Sequence, residues 1–555
     1  MTVDFGIGVS DFAKIINNKN TYIDKTLLIK ELLADASDVI LFPRPRRFGK
    51  TLNMTMLRCF LDIREIEKNK DLFEDLNVSQ YPEIMKHQGI YPVIYISLKE
   101  IKKDNYKSAL AAMGILIQSL FTSYEDLKAD TPEGQRPYFE RLLSATASEE
   151  ELVQSLKFLS QILERKYEQK VWVLIDEYDT PIHAAWEFDF YKSMKIFMQG
   201  FLGSGLKDNS SVYKSVLTGI MRVSKEGMFS DLNNVKVHSM LSARYCSHFG
   251  FTEQEVDWIC KEAGVLDQRE QVRNWYNGYK FGELNIYNPW SIINFATEKK
   301  LEAYWVKTGS SQLIEDLIAK ASDELKFDFE ALIQGRSITK PINENISLPE
   351  IDDRVEEAIW SFLLFAGYLK IVSKESTNQN PTCQLQIPNE EIKGIYEGYF
   401  LSWLKKSNSR QGEEMLNALV AGDVEMFEEH FTDYIENTLS YFDVKGTQPE
   451  KFYHAMVLGM LIYLKNSHQI SSNRESGTGR YDVLIIPKDV SKTGIIIEFK
   501  SVKKEELLEP WADKALAQIE SKNYQAELES RGISKILKLG IVFFGKKVLV
   551  KAGEK

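Results

Sequence analysis

The chain has 555 residues, more than one hydrophobic core serves, so about three or four domains are expected. A formal net charge of -11 excludes a protein that grips nucleic acid through a uniformly basic surface; any such contact has to come from a local patch. Four scattered cysteines without CxxC spacing exclude a disulfide scaffold and a zinc site of that kind, and fit a reducing cytoplasm. The opening MTVDFGIGVSDF has no basic segment leading into an apolar one, so no signal peptide is expected. The longest apolar stretch, 455–464, falls far short of the roughly 20 residues that span a bilayer and reads as a buried helix. A cytoplasmic protein without a membrane partner is the expectation.

In chain order, apolar runs at 39–42, 93–96, 171–175 and 215–218 alternate with longer helical patterns. Each reads as a buried parallel strand, which predicts an α/β domain with a mainly parallel sheet and functional loops at the strands' carboxyl ends. Beyond about residue 250 the segments 253–264 and 353–368 read as amphipathic helices, followed by a short strand at 371–372 and a polar loop. A helical, winged-helix-like middle region is the expectation there. From about 412 the pattern is helical again. From 480 it turns to strands at 481–486, 494–499, 537–544 and 548–551, with a helix over 507–530.

Residues 44–51, Arg-Pro-Arg-Arg-Phe-Gly-Lys-Thr, match the end of the phosphate-binding pattern GxxxxGK[ST], with Arg44 where its first glycine would stand. A strand precedes and a helical pattern follows. Backbone N–H groups at a helix start cradle phosphate oxygens, Gly49 permits close approach, Lys50 offsets phosphate charge and Thr51 suits Mg²⁺. The blander reading is a basic turn that caps a helix. The run 171–175 then ends in Asp176-Glu177, and buried strands rarely end in paired acids because an unpaired buried charge costs several kcal/mol. Asp176 suits the Mg²⁺ shell and Glu177 a general base for water. Thr218, at the end of a later strand, is a candidate γ-phosphate contact or simply a strand-end hydroxyl. Arg222 is a candidate for stabilising transition-state charge.

A second constellation lies near the end. Asp482 opens one strand, and Glu498-Phe-Lys500 closes the next. Alternation puts Glu498 and Lys500 on one face, with Asp482 close on the neighbouring strand. Two carboxylates and an ammonium at one point suit metal-assisted phosphodiester hydrolysis: oxygen ligands for Mg²⁺ or Mn²⁺, and a cation for the developing charge. The alternative is an exposed Lys–Glu pair on an edge strand. Glu475 is a candidate third acid, or a polar loop residue. Gln518 and Tyr524 follow on the helical segment.

Taken together, Tyr22-Ile-Asp-Lys-Thr26, the 44–53 string RPRRFGKTLN, Leu174-Ile-Asp-Glu-Tyr-Asp179, Leu217-Thr-Gly219, Trp275-Tyr-Asn-Gly-Tyr279, Tyr287-Asn-Pro289 and the 472–482 string SNRESGTGRYD resemble a bacterial family of AAA-ATPase-like proteins fused to a C-terminal PD-(D/E)XK nuclease-superfamily domain. The resemblance spans nearly the whole chain. It implies a P-loop domain over 1–285, the middle region over 286–410 and a nuclease-like domain over 411–555. It also implies ATP as ligand of Arg46, Arg47, Phe48, Gly49, Lys50, Thr51, Leu52, Asp176 and Thr218, with Mg²⁺ on Thr51 and Asp176 and water on Glu177. In the family the P-loop itself lacks the first glycine. The nuclease superfamily implies metal on Asp482 and Glu498 and catalytic assistance from Lys500. Gln518 and Tyr524 resemble a Gln–Tyr helix of RecB-like nucleases, at a longer spacing than its usual Gln-xxx-Tyr.

Two functions compete on this reading. One is an ATP-linked nuclease acting on DNA, suited to defence or mobile-element control. The other is a nucleotide-dependent switch whose C-terminal domain binds nucleic acid or a partner without cutting. Lys500, Lys503, Lys504, Lys514 and Lys522 with Arg480 supply only a modest basic patch. A homo-oligomer stays open, because no single arginine declares itself as one that reaches a neighbour's nucleotide.

Overall fold

The computed structural model describes residues 3–207, 209–221, 234–305, 323–333, 335–345, 356–374, 381–396, 411–438, 467–472, 475–476, 479–480, 482–545 and 547–553, with single positions at 348, 457, 461 and 464. It divides into two compact units. One joins Met1–Thr308 to Thr339–Ile392, and the other joins Gly309–Ile338 to Lys393–Lys555. The middle region expected over 286–410 is thus shared: 286–308 and 339–392 pack with the N-terminal part.

The first unit is built on a five-stranded parallel sheet of β1 (Val39–Pro43), β2 (Val93–Ser97), β3 (Val171–Asp176), β4 (Val212–Gly219) and β5 (Val235–Val237), in the order β2-β3-β4-β1-β5. β1 and β3 are buried along their whole length, as expected of strands covered on both faces. The four expected strands are found. β5 escaped the sequence reading because three residues, Val-Lys-Val, give too short a pattern. β4 lies between β1 and β3, so the carboxyl ends of all three meet at one place. The helix Lys50–Leu61 leaves β1 there and buries Met54, Leu57 and Leu61 on one side, with Met56 and Phe60 beside them, at helical spacing.

Beyond this sheet, β6 (Phe251–Thr252), β7 (Tyr279–Phe281) and β8 (Leu284–Tyr287) form a small antiparallel sheet in the order β6-β8-β7. The helix expected at 253–264 runs Glu253–Glu262, opened by a reciprocal capping box between Thr252 and Glu255. Glu255 also receives Lys25 Nζ at 2.6 Å, which ties the Tyr22–Thr26 string to this helix. Further on, β9 (Ile338–Pro341), β10 (Lys370–Lys374) and β11 (Thr382–Gln386) make a three-stranded sheet in the order β10-β11-β9, and the helix Glu356–Phe365 precedes β10.

The second unit carries β12 (His468–Ser472), the short pair β13 (Glu475–Ser476) and β14 (Gly479–Arg480), then β15 (Val483–Pro487), β16 (Gly494–Ser501), β17 (Ile536–Phe544) and β18 (Lys547–Ala552). The sheet order is β12-β15-β16-β17-β18, with β16 and β17 parallel and the other pairs antiparallel. The crossover between the parallel strands is helical, but the expected helix over 507–530 is broken. It runs Leu508–Ser521, turns at Asn523 with φ 53°, and resumes at Ala526–Ser530. Most of the apolar stretch 455–464 lies outside the described residues. Among the described residues no helix is long and apolar enough to cross a membrane.

Candidate functional site

β1 delivers the chain into the loop 44–49, and Gly49, at φ 82°, turns it into the helix Lys50–Leu61. A side chain at Gly49 would strain that left-handed backbone. The first N–H groups of the helix have no partner within it and present a concentrated positive field. The Lys50 side chain folds back over the loop and donates to Arg44 O and Pro45 O, each at 3.0 Å. Burial pushes its ammonium below the ordinary range, while Glu177, Asp176 and Asp179 oppose that shift.

Asp176, wholly buried at the end of β3, receives two hydroxyls. Thr51 Oγ1 donates to Oδ2 at 2.7 Å, and Thr218 Oγ1 to Oδ1 at 2.5 Å. One carboxylate thereby joins the helix start, β3 and β4. Glu177 follows in a left-handed conformation, φ 53°. Burial raises its carboxyl pKa, Lys50 draws it down, and Asp176 and Asp179 raise it further. Such a carboxyl suits proton acceptance from water.

In the second unit, β15 and β16 pair with Val483 opposite Ile497, so Asp482 and Glu498 are the next pair along. Asp482 Oδ2 accepts from Phe499 N at 2.8 Å. Glu498 is buried; its Oε1 accepts from Lys500 Nζ at 2.8 Å and from Gln518 Nε2, while Oε2 is buried without a hydrogen-bond partner. Burial, then the neighbouring Asp482, push the Glu498 carboxyl up to about 7, against the pull of Lys500. Gln518 Nε2 also lies 3.3 Å from Tyr524 Oη. Six positions along an unbroken helix would set these two about 120° apart around its axis. The turn at Asn523 folds Tyr524 back, so the longer spacing still brings Gln518 and Tyr524 together beside Glu498.

Residues 6–229 match the family model "Predicted AAA-ATPase", and residues 448–553 match the PD-(D/E)XK nuclease superfamily. The chain joins an AAA-ATPase-like domain to a nuclease-superfamily domain. It is also 27% identical over 561 residues to a protein of Azotobacter chroococcum mcd 1 described as "Uncharacterized protein in vnfD 5'region", covering 97% of this chain and 96% of that one.

In the AAA-ATPase-like domain, Arg44 replaces the absent glycine with an anchor that no local pattern announces. Its guanidinium is wholly buried between the Phe249 and Phe281 rings, 5.1 and 5.0 Å from their centroids. Its Nη1 donates to Pro43 O at 2.9 Å and to His238 O at 2.7 Å, and burial lowers its pKa to about 9. The rest of the loop is held from outside the sheet. Trp305 Nε1 donates to Arg46 O at 3.1 Å, and Arg47 lies 4.4 Å over the Trp290 ring. Phe48 packs on Tyr279 and Phe281, so only its backbone can face a phosphate. Trp290 and Trp305 thus support the phosphate loop, as does the Tyr279 end of one family string. Of the remaining candidates here, Arg46 is exposed and Leu52 half-buried, while Arg222 lies outside the described residues.

Glu391 secures this support. It is buried and accepts from Trp305 N at 2.6 Å and Ser291 Oγ at 2.8 Å, and burial raises its pKa from 4.5 to about 7. A carboxyl raised on folding binds its proton more tightly folded than unfolded. Its destabilisation is absent below pH 4.5, grows as pH rises and is complete above about 7. Glu391→Gln removes the charge; its Oε1 still accepts from Trp305 N, and its Nε2 donates to Ser291 Oγ in place of the bond that oxygen accepted. Thermal melts from pH 5 to 8 are expected to show the wild type losing on the order of 2 kcal/mol that the variant keeps. Parallel pH profiles for the two proteins would contradict this.

In the nuclease-superfamily domain a divalent cation fits the unpartnered Glu498 Oε2 beside Asp482. Among the described residues no group of three or more His, Cys, Asp or Glu is placed so as to hold a metal ion. The backbone of Glu475 pairs with Arg480 in the β13–β14 hairpin, and its side chain lies outside the description.

Proposed function

We propose that the chain hydrolyses ATP at the corner of Lys50, Thr51, Asp176 and Glu177, and cleaves phosphodiester bonds, in DNA, at the Asp482–Glu498–Lys500 group. The observation that carries the cleavage reading is the buried, unpartnered oxygen of Glu498. An apolar strand does not hold a second carboxylate and a lone oxygen together without cost, and a cation removes that cost. In the ATPase reading the loop N–H groups and Lys50 bind the phosphates, Thr51 and Asp176 hold Mg²⁺, and Glu177 takes the proton of the attacking water. Thr218 contacts the γ-phosphate. In the nuclease reading a bound Mg²⁺ or Mn²⁺ would supply an activated water and neutralise phosphate charge. Lys500 stabilises the charge that develops on the phosphate, and Gln518 and Tyr524 fix the direction of Glu498. Exposed Lys503, Lys504 and Lys522 offer contacts to a few backbone phosphates. Such a pairing suits defence or mobile-element control.

Calorimetric titration with Mn²⁺, without nucleotide, tests the metal site. Binding is expected to tighten by about tenfold per pH unit up to about pH 7, because Glu498 must release its proton, and to be lost in Asp482→Ala. Equal affinity in wild type and Asp482→Ala would remove the metal site and favour a nucleotide switch whose C-terminal domain binds without cutting.

A further inference from the structure

Two buried residues after the paired acids have no place in that chemistry. Tyr178 is fully buried and Asp179 is 1% exposed. Asp179 Oδ2 accepts from Ile220 N at 2.7 Å and Met221 N at 3.1 Å, the two residues that follow β4. Tyr178 Oη donates to Met221 O at 2.6 Å, and its backbone N–H to Thr218 O at 3.0 Å. Gly219 lies between them: a Cβ there would stand 2.6 Å from the Tyr178 ring and 2.8 Å from Asp179 Oδ1. Gly219 O in turn accepts from Arg44 N at 2.9 Å. The end of β4 is therefore fastened to the phosphate loop on one side and to the acid corner on the other.

We propose that Tyr178 and Asp179 are positioning residues for ATP hydrolysis, holding Glu177 and Thr218 in fixed places about the γ-phosphate; this rests on the ATPase reading above. Glu177 has a left-handed backbone, which is unfavourable for a non-glycine residue and persists only where the surroundings enforce it. Its side chain makes a long contact, Thr180 Oγ1 at 3.4 Å, too weak to aim it. The enforcement comes from the next two residues, each tied to the loop after β4. Without those ties the backbone at Glu177 relaxes and its carboxylate swings from the water it is to deprotonate. Nucleotide binding uses the loop N–H groups and Lys50; the hydrogen bonds to residues 220 and 221 do not engage them, the charge of Asp179 acts on Lys50 from nearby, and Tyr178→Phe leaves that charge in place. Loss of the ties should lower kcat and leave affinity alone.

The test compares steady-state ATP hydrolysis and ADP binding in full-length wild type, Lys50→Ala, Asp179→Ala, Asp179→Asn and Tyr178→Phe. Asp179→Ala is expected to lower kcat by about a hundredfold with the ADP Kd within about threefold of wild type. Asp179→Asn, which keeps an acceptor for both N–H groups, is expected to restore most of the rate. Tyr178→Phe removes one hydroxyl and should lower kcat by about tenfold at unchanged affinity; it carries the test if Asp179→Ala does not fold. Wild-type kcat in Asp179→Ala or in Tyr178→Phe would overturn the proposal, as would a joint loss of rate and affinity that Asp179→Asn does not rescue. A wild type that neither binds ADP nor outpaces Lys50→Ala would instead bring down the ATPase reading itself, and this proposal with it.

Discussion

Glu498→Gln is expected to weaken Mn²⁺ binding at the C-terminal site by about a hundredfold and to abolish cleavage there. The substitution keeps size and an acceptor for Lys500, but removes the charge a cation needs. It also separates function from stability. With its carboxyl raised from 4.5 to about 7 by burial and Asp482, metal-free Glu498 destabilises the fold increasingly as pH rises from 4.5 to 7, and fully above 7. At pH 8 without metal, Glu498→Gln should therefore be more stable than wild type, on the order of 1 kcal/mol. The two should converge near pH 4.5. Adding Mn²⁺ at pH 8 should stabilise wild type and leave the variant unmoved. Thermal melts read all three, and a variant destabilised at pH 8 would show that Glu498 is a structural acid.

Lys50→Ala is expected to reduce ATP hydrolysis by about 10²–10³-fold, the usual effect of removing one charge-stabilising group from a dry site. Without nucleotide the Lys50 ammonium rests on Arg44 O and Pro45 O, so it is already poised inside the loop. Alanine also leaves Glu177, Asp176 and Asp179 without the cation that offsets them. Burial already raises the Glu177 pKa, and in the variant it should rise further, so residual activity should need higher pH than wild type. A pH–rate profile with the same acidic limb in both proteins would count against Glu177 as the base.

Much of this was legible in the chain because the decisive signals are local. The apolar runs 39–42 and 171–175 had to be buried strands, and Gly49-Lys-Thr and Asp176-Glu177 at their ends had to share one sheet edge. Likewise Glu498-x-Lys500 fixes a common face by alternation alone. What stayed hidden depends on contacts distant in sequence. Arg44 reads as a defect in a glycine pattern, yet it reaches His238 O and two phenylalanine rings. Trp305 carries no local signal of a role, yet its ring nitrogen holds Arg46 O, 259 positions away. Tyr178 and Asp179 looked like the tail of a motif, because nothing local shows that they grip residues 220 and 221. The meeting of Gln518 with Tyr524 needed a helix break that the apolar periodicity does not announce.

The most direct test of an ATP-linked nuclease is a cleavage assay on linear, circular and single-stranded DNA with Mg²⁺ or Mn²⁺, with and without ATP, in wild type, Lys50→Ala and Glu498→Gln. The expected result is cleavage by wild type that Glu498→Gln abolishes and that Lys50→Ala loses or uncouples from ATP. ATP hydrolysis intact in wild type and Glu498→Gln alike, with every DNA form uncut by both, would contradict the nuclease reading and leave a nucleotide switch in its place.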